Sequence, residues 1–217
     1  GRLARSLPAT RSAFGHTGAM LFLSTLLITS YTAPPPKTSD HPGFARWMAT
    51  SLTWGVLSTT STRSEGSTKG DAFGNPYSFA DVDGVPYFYA SGMDASMVDL
   101  FGSDASTSRG TLSLTEASSL EEVAACKIGH LLGDPENPPC ARLVLSGSLA
   151  KVAAGSDEET AAKKALFAKH PSFKMYPPGH AFYVVKMEVD GVWLIDAYGG
   201  AATPSAKEYL DYKPSLV

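Results

Sequence analysis

Apolar positions in this chain mostly alternate with polar ones over short runs, and in only a few windows do they recur at helical spacing. Ser39 or Asp40 is placed to cap a helix with Pro42 in its first turn, and Phe44, Trp47, Met48 and Leu52 then follow on one face. Such a helix is expected to plug one end of a barrel. Trp54 to Thr62 is β-branched and reads as a strand, followed by a polar, Gly-rich excursion from Arg63 to Gly74. Pro86–Ser91 and Gly110–Thr115 predict two more strands, separated by a helix from Asp94 to Phe101 that stops at Gly102. In the segment from Ala141 to Val152, Leu143, Leu145, Gly147 and Leu149 share one face, which predicts a long strand with one side buried. Ser156 and Glu159 form a capping-box pattern that opens a helix ending at His170-Pro171. Phe182–Val189 and Val192–Tyr198 flank Asp190-Gly191, the preferred pair for a tight hairpin turn, and Thr203-Pro204 starts a last short helix reaching about Leu210.

Six or so strands with short helices between them, and no regular strand–helix alternation, predict a mixed α+β, β-rich barrel rather than a doubly wound sheet. Composition agrees, since 20 Gly and 15 Pro in 217 residues imply many turns and argue against a helical bundle. The net charge of -3 leaves no broad basic field, so nucleic acid is not an expected partner.

Two features lie outside the barrel pattern. Residues 1–38 form a separate unit: Arg2, Arg5 and Arg11 precede the apolar run Ala19–Ile28, and a Pro34-Pro-Pro36 linker follows. That order is the one found in secretory signals and in the second half of bipartite organellar targeting sequences, and Ser30–Ala33 offers a small-residue cleavage site. If retained, the segment would anchor the domain, residues 39–217, to a membrane. The apolar run is shorter than the roughly 20 residues a spanning helix needs, which favours a cleaved signal. The two cysteines, Cys126 and Cys140, would close a Gly- and Pro-rich loop as a disulfide worth about 3 kcal/mol in an oxidising compartment; two buried free thiols are the alternative.

Four fragments, Gly84–Ser91, Pro138–Gly147, Ala165–Pro171 and Val192–Gly200, together resemble the CREG family, and the resemblance extends over about Phe44 to Tyr209. It implies the split β-barrel of the pyridoxamine-phosphate-oxidase-like, FMN-binding superfamily, with short peripheral helices. It also implies a homodimer with the flavin site at its interface, and a secretory or endolysosomal lumen. The sequence departs from that pattern in three ways. Its only two asparagines, Asn75 and Asn137, are each followed by proline, so neither is an N-glycosylation acceptor. The stretch Ser91–Asp99, where flavin-binding relatives supply phosphate-holding cations, offers Ser96 but no cation, and Asp94 and Asp99 bring negative charge. Long loops at Arg63–Gly74 and Ala124–Pro139 are sized to cover a pocket.

If FMN binds, the residues to hold its phosphate are Ser58, Thr60, Ser91, Ser96, Arg109 and Arg142. The missing cations argue for a barrel without flavin. Nor is a catalytic pair evident: Cys126 and His130 sit four apart, but read as a disulfide or core thiol beside a surface histidine. His16, His41, His170 and His180 stand in turns or in the N-terminal segment, and Tyr87, Phe88, Tyr89, Phe182, Tyr183, Trp193 and Tyr198 read as core and interface packing. The leading expectation is therefore a non-catalytic CREG-like binding or scaffold protein. One alternative is an accessory subunit of an organellar membrane complex, respiratory or photosynthetic, with plastid or mitochondrial location. The other is an FMN- or haem-dependent oxidoreductase.

Overall fold

The computed structural model describes residues 37, 39–105 and 107–213; the basic and apolar segment of residues 1–36 lies outside them. Helix α1 (His41–Ser51) leads into strands β1 (Trp54–Thr60), β2 (Ala72–Val82) and β3 (Val85–Ser91). Helix α2 (Ala95–Phe101), strand β4 (Arg109–Thr115) and helix α3 (Leu120–Ala125) follow. Strand β5 (Arg142–Lys151), helix α4 (Asp157–Lys169), strand β6 (Phe182–Ile195) and helix α5 (Ala206–Asp211) complete the domain. All neighbouring strands are antiparallel, and they close into a barrel in the order β1-β2-β3-β6-β5-β4.

Inward positions on the strands make the core, among them Leu57, Phe79, Phe88, Leu112, Leu143, Leu145 and Met187, and every one of these is essentially inaccessible. Side chains of this size each contribute about 1.5–3 kcal/mol on burial, so the barrel interior dominates the stability of the fold. Phe44 and Met48 of α1 enter the same cluster and plug one end, with Asp40 as the cap accepting from the Gly43 N–H. Helix α2 seals with Met97 and Leu100, capped by Asp94 and stopped at Gly102 as its sequence predicts. A second cluster lies outside the barrel, where α4 lays Ala162 and Leu166 against Tyr87, Val184 and Phe173. Ser156 caps α4 by accepting from the Glu159 N–H, but the Glu159 carboxylate reaches back to Gly155. The reciprocal capping box forms instead at α5, between Ser205 and Glu208.

Two expectations about the strands fail as well. Asp190-Gly191 makes no hairpin turn: β6 runs unbroken through it, pairing with β5 from Ile195 to Val185. A tight hairpin turn of this kind needs left-handed backbone at both central residues, and neither residue has it. Ser146 stands opposite Gly191 and Gly147 opposite Val189, which leaves Asp190 as the extra residue of a β-bulge. The turn of the predicted type falls at Asp83-Gly84, φ 52° and 87°, and joins β2 to β3. The second miss is β2 itself, hidden behind Gly74, Asn75 and Pro76. Residues 72–78 pair with β1 alone and residues 79–82 with β3, so Pro76 keeps one side free of strand partners and its missing N–H breaks no ladder.

Candidate functional site

Strands β1 and β4 pair only from Val56 to Ser58 against Thr111 to Ser113, although both continue beyond that point. Where they diverge they leave a groove of about 360 Å³, lined by Ser58–Thr60, Thr107, Arg109–Thr111 and Ser146. Its floor follows from register, since Ser58 stands opposite Thr111 and Thr111 opposite Ser146. Arg109 forms the rim. Its guanidinium donates to both carboxylate oxygens of Asp190, at 2.6 and 2.8 Å, and to Ser148 Oγ at 3.3 Å. Hydrogen bonding to Arg109 holds the Asp190 carboxyl below the usual carboxylate range. The bulge is what aims Asp190 at this rim, so the same residue that breaks the predicted hairpin neutralises the groove's cation.

Beneath the groove, Thr59 donates its hydroxyl to the buried Asp99 at 3.0 Å. Asp99 also accepts from the Thr62 N–H at 2.9 Å and from Arg63 Nε at 3.0 Å. Burial alone would raise the Asp99 carboxyl, but the donors Arg63, Thr62 and Thr59 outweigh it and hold it below its ordinary value. Arg63 also lies 4.3 Å from the centre of the Phe73 ring, so the predicted polar excursion is tied to α2 and β2 at its base. Asp99 is therefore not the bare repulsive charge that its sequence position implies. Asp94 is engaged as well: it caps α2 through the Ser96 N–H and accepts from Asn75 Nδ2 at 3.3 Å and from the Tyr77 hydroxyl. Burial first, and then Asp94, push the Tyr77 phenol above its usual range.

Of the six residues expected to hold a phosphate, the groove gathers Ser58, Thr60 and Arg109. Ser91 donates to the His180 carbonyl at 2.7 Å, and Ser96 is fully buried behind Asp94. Arg142 pairs with Thr115 while Arg109 pairs with Ser148, so the two arginines mark opposite ends of the β4–β5 ladder, about 20 Å apart at the rise of a strand. Arg142 donates instead to the Glu136 carbonyl at 3.3 Å. Within one chain these residues do not fit an FMN phosphate, because Arg109, the one cation lining the groove among the described residues, already grips a carboxylate.

On the far side of the groove from the Arg109–Asp190 rim, the outward face of the same strands carries little charge. Trp54, Val56 and Ser58 on β1, Thr111, Ser113 and Thr115 on β4, Arg142, Val144 and Ser146 on β5, and Gly191, Trp193 and Ile195 on β6 include one charged residue, Arg142. Trp54 is 40% exposed and Trp193 37%. Away from this face, Cys126 and Cys140 are joined in a disulfide with Cα atoms 5.3 Å apart, so Cys126 has no thiol to pair with His130. His41 contacts Asp196 at 2.9 Å and His170 the Phe79 carbonyl at 2.8 Å. Among the described residues no group of three or more His, Cys, Asp or Glu is arranged to hold a metal ion.

Closed six-stranded topology of this kind is shared with the pyridoxamine-phosphate-oxidase-like split barrels. Superposition on the structure of a heme binding protein from Mycobacterium smegmatis gives a TM-score of 0.60 at 21% identity, over 82% of this chain and 62% of that one. Campylobacter jejuni ChuZ gives 0.51 at 12% identity, over 73% and 56%. Sequence similarity is narrower in scope and says more. Residues 36–211 match the family described as CREG, beta-barrel. Protein CREG1 of Gallus gallus is 35% identical over 191 residues, 84% of this chain and 91% of that protein. Protein CREG1 of Homo sapiens is 31% identical over 181 residues, 81% and 76%. The chain belongs to the CREG family.

Proposed function

We propose that this chain is a non-enzymatic CREG-family binding protein that works as a homodimer without flavin. The observation that carries the reading is the Arg109–Asp190 pair, in which both carboxylate oxygens occupy the donors a phosphate would need. The apolar side chains on the outward face, exposed Trp54 and Trp193 with Val56, Val144 and Ile195 on the same strands, support self-association, since large apolar groups gathered on one sheet face are normally covered. The Cys126–Cys140 disulfide supports an oxidising, luminal compartment over the cytosol. Although the Mycobacterium smegmatis relative is described as haem-binding, the exposed His180 ring of this chain stacks on Phe182 and stands outside the groove.

Equilibrium dialysis of the purified protein against FMN, together with light scattering, tests the reading. The expected result is no flavin retention and twice the mass of one chain, reduced to a single mass by Trp193→Glu. A yellow protein that keeps FMN through dialysis overturns the flavin-free reading, and a monomeric wild type overturns the dimer. N-terminal sequencing of the native protein decides between a luminal protein and an anchored subunit of a membrane complex: a first residue at or after Pro34 excludes the anchored subunit.

A further inference from the structure

Exposed apolar side chains also gather at a second place, which involves none of the residues proposed to pair two copies. Helix α4 is followed by a 3₁₀ turn, Pro171–Met175, and then by Tyr176-Pro177-Pro178 before β6 begins. Met175 is 86% exposed, and Tyr176 next to it 40%. Neither hangs on a loose loop. The His170 ring bonds to the Phe79 carbonyl at 2.8 Å and stacks on Phe173, with 4.9 Å between ring centres. Tyr176 lies 5.0 Å from Phe173 and 4.9 Å from Phe182 and stacks on Tyr89 at 6.3 Å, while Phe173 is buried with Leu166 of α4. An aromatic pedestal thus holds Met175 and part of Tyr176 out in water, where large apolar groups side by side are normally covered.

Charge says what would cover them. From Thr160 to Met187 the chain has five lysines and no aspartate or glutamate, although the whole chain carries a net charge of -3. Three of the five are engaged: Lys163 with Glu159 at 2.8 Å, Lys186 with Glu158 at 3.2 Å, and Lys169 with the Thr50 carbonyl at 2.9 Å. Lys164 and Lys174 are exposed and make no ion pair among the described residues, and Lys174 directly precedes Met175. We propose that this turn docks on an anionic lipid surface. The thioether of Met175 would enter the headgroup layer, the Tyr176 ring would sit at the water boundary, and the lysine ammonium groups would meet lipid phosphate and carboxylate. A neutral membrane would leave the lysines unused, and an acidic peptide would leave Met175 uncovered.

The test uses the whole chain with Met175→Cys or, as a control, Leu132→Cys, each labelled with an environment-sensitive fluorophore; the native cysteines are joined and do not react. Leu132 is 89% exposed on the disulfide loop, two residues before Asp134. Both proteins are titrated with vesicles of phosphatidylcholine alone and of phosphatidylcholine mixed with phosphatidylserine. The expected result is a saturable blue shift at position 175 with the mixed vesicles, little with the neutral ones, and none at position 132. Adding Lys174→Gln should weaken the binding about fivefold, and added salt should weaken it further. Thermal melts establish that each variant is folded before it is scored. The proposal is overturned if position 175 does not shift, if it shifts equally on neutral vesicles, if position 132 shifts as much, or if folded Lys174→Gln binds as tightly. A response at position 175 to a soluble glutamate-rich peptide and not to the mixed vesicles makes the partner an acidic protein and overturns the lipid surface. The flavin-free and dimeric readings stand or fall separately, on the dialysis and light scattering.

Discussion

Lys169 occupies a position whose chemistry depends on burial. Its ammonium donates to the Thr50 carbonyl at 2.9 Å, near the end of α1, and lies 4.8 Å from the centre of the Phe79 ring. Burial lowers its pKa from 10.5 to about 8, with Asp81 pulling the other way. Because the unfolded chain then holds more protons than the folded one above pH 8, stability should rise with pH from about 8 toward 10. The slope is at most about 1.4 kcal/mol per pH unit. Urea unfolding at several pH values checks this, and Lys169→Met should flatten the rise. Above that window the raised phenols of Tyr77 and Tyr87 oppose it, since they keep their protons longer in the folded state. No residue-by-residue reading of the sequence exposes such effects. Asp99 illustrates the same limit: its negative charge is legible, but its partner Arg63 lies 36 residues away on a loop that reads as free.

Asp-Gly occurs in this domain both at 83–84 and at 190–191, and the two occurrences adopt different backbones. At Gly84 the φ of 87° is left-handed, a Cβ would lie 1.9 Å from Arg46 Nη1, and the carbonyl accepts from Tyr209 at 2.9 Å. Gly84→Ala should therefore cost about 2 kcal/mol, from strain and a displaced guanidinium. Gly191 is not left-handed, and a Cβ there meets only Ser146 at 3.3 Å, so Gly191→Ala should cost less than about 1 kcal/mol. Paired denaturation curves compare them directly. The sequence carried the local signals well: Asp40, Asp94 and Ser156 all cap the helices they were expected to open. Strand pairing was less legible, because whether Asp-Gly turns or bulges depends on which strand lies alongside, and Pro76 is tolerated only because of a free edge in space. The total of six strands agrees with expectation although one predicted strand was half of another and one real strand went unseen.

At the scale of the whole molecule, barrel closure and the plug of α1 do most of the stabilising, while the disulfide ties a peripheral loop between α3 and β5. Replacing Cys126 and Cys140 together by serine should lower unfolding free energy by about 3 kcal/mol and leave the barrel folded, measured as a shifted urea midpoint with unchanged far-UV circular dichroism. Family membership and the barrel were legible from ordered fragments spread over most of the chain. The groove was legible in part: Ser58, Thr60 and Arg109 were picked out, but Asp190, which decides what Arg109 can do, was hidden inside a supposed turn.

The plug of α1 has one more consequence, because it sits against α5, where the Tyr212 hydroxyl donates to Asp40 at 2.8 Å. First and last helices of the domain thus meet at the same end of the barrel, joined by this bond across 172 positions of chain, by Arg46 over the Tyr209 ring and by shared core packing. Order along the polypeptide is to that extent separable from order in space. A short peptide joining residue 213 to residue 39 would let the chain be opened elsewhere, for instance at the exposed Gly66–Gly70 stretch, with every strand keeping its neighbours.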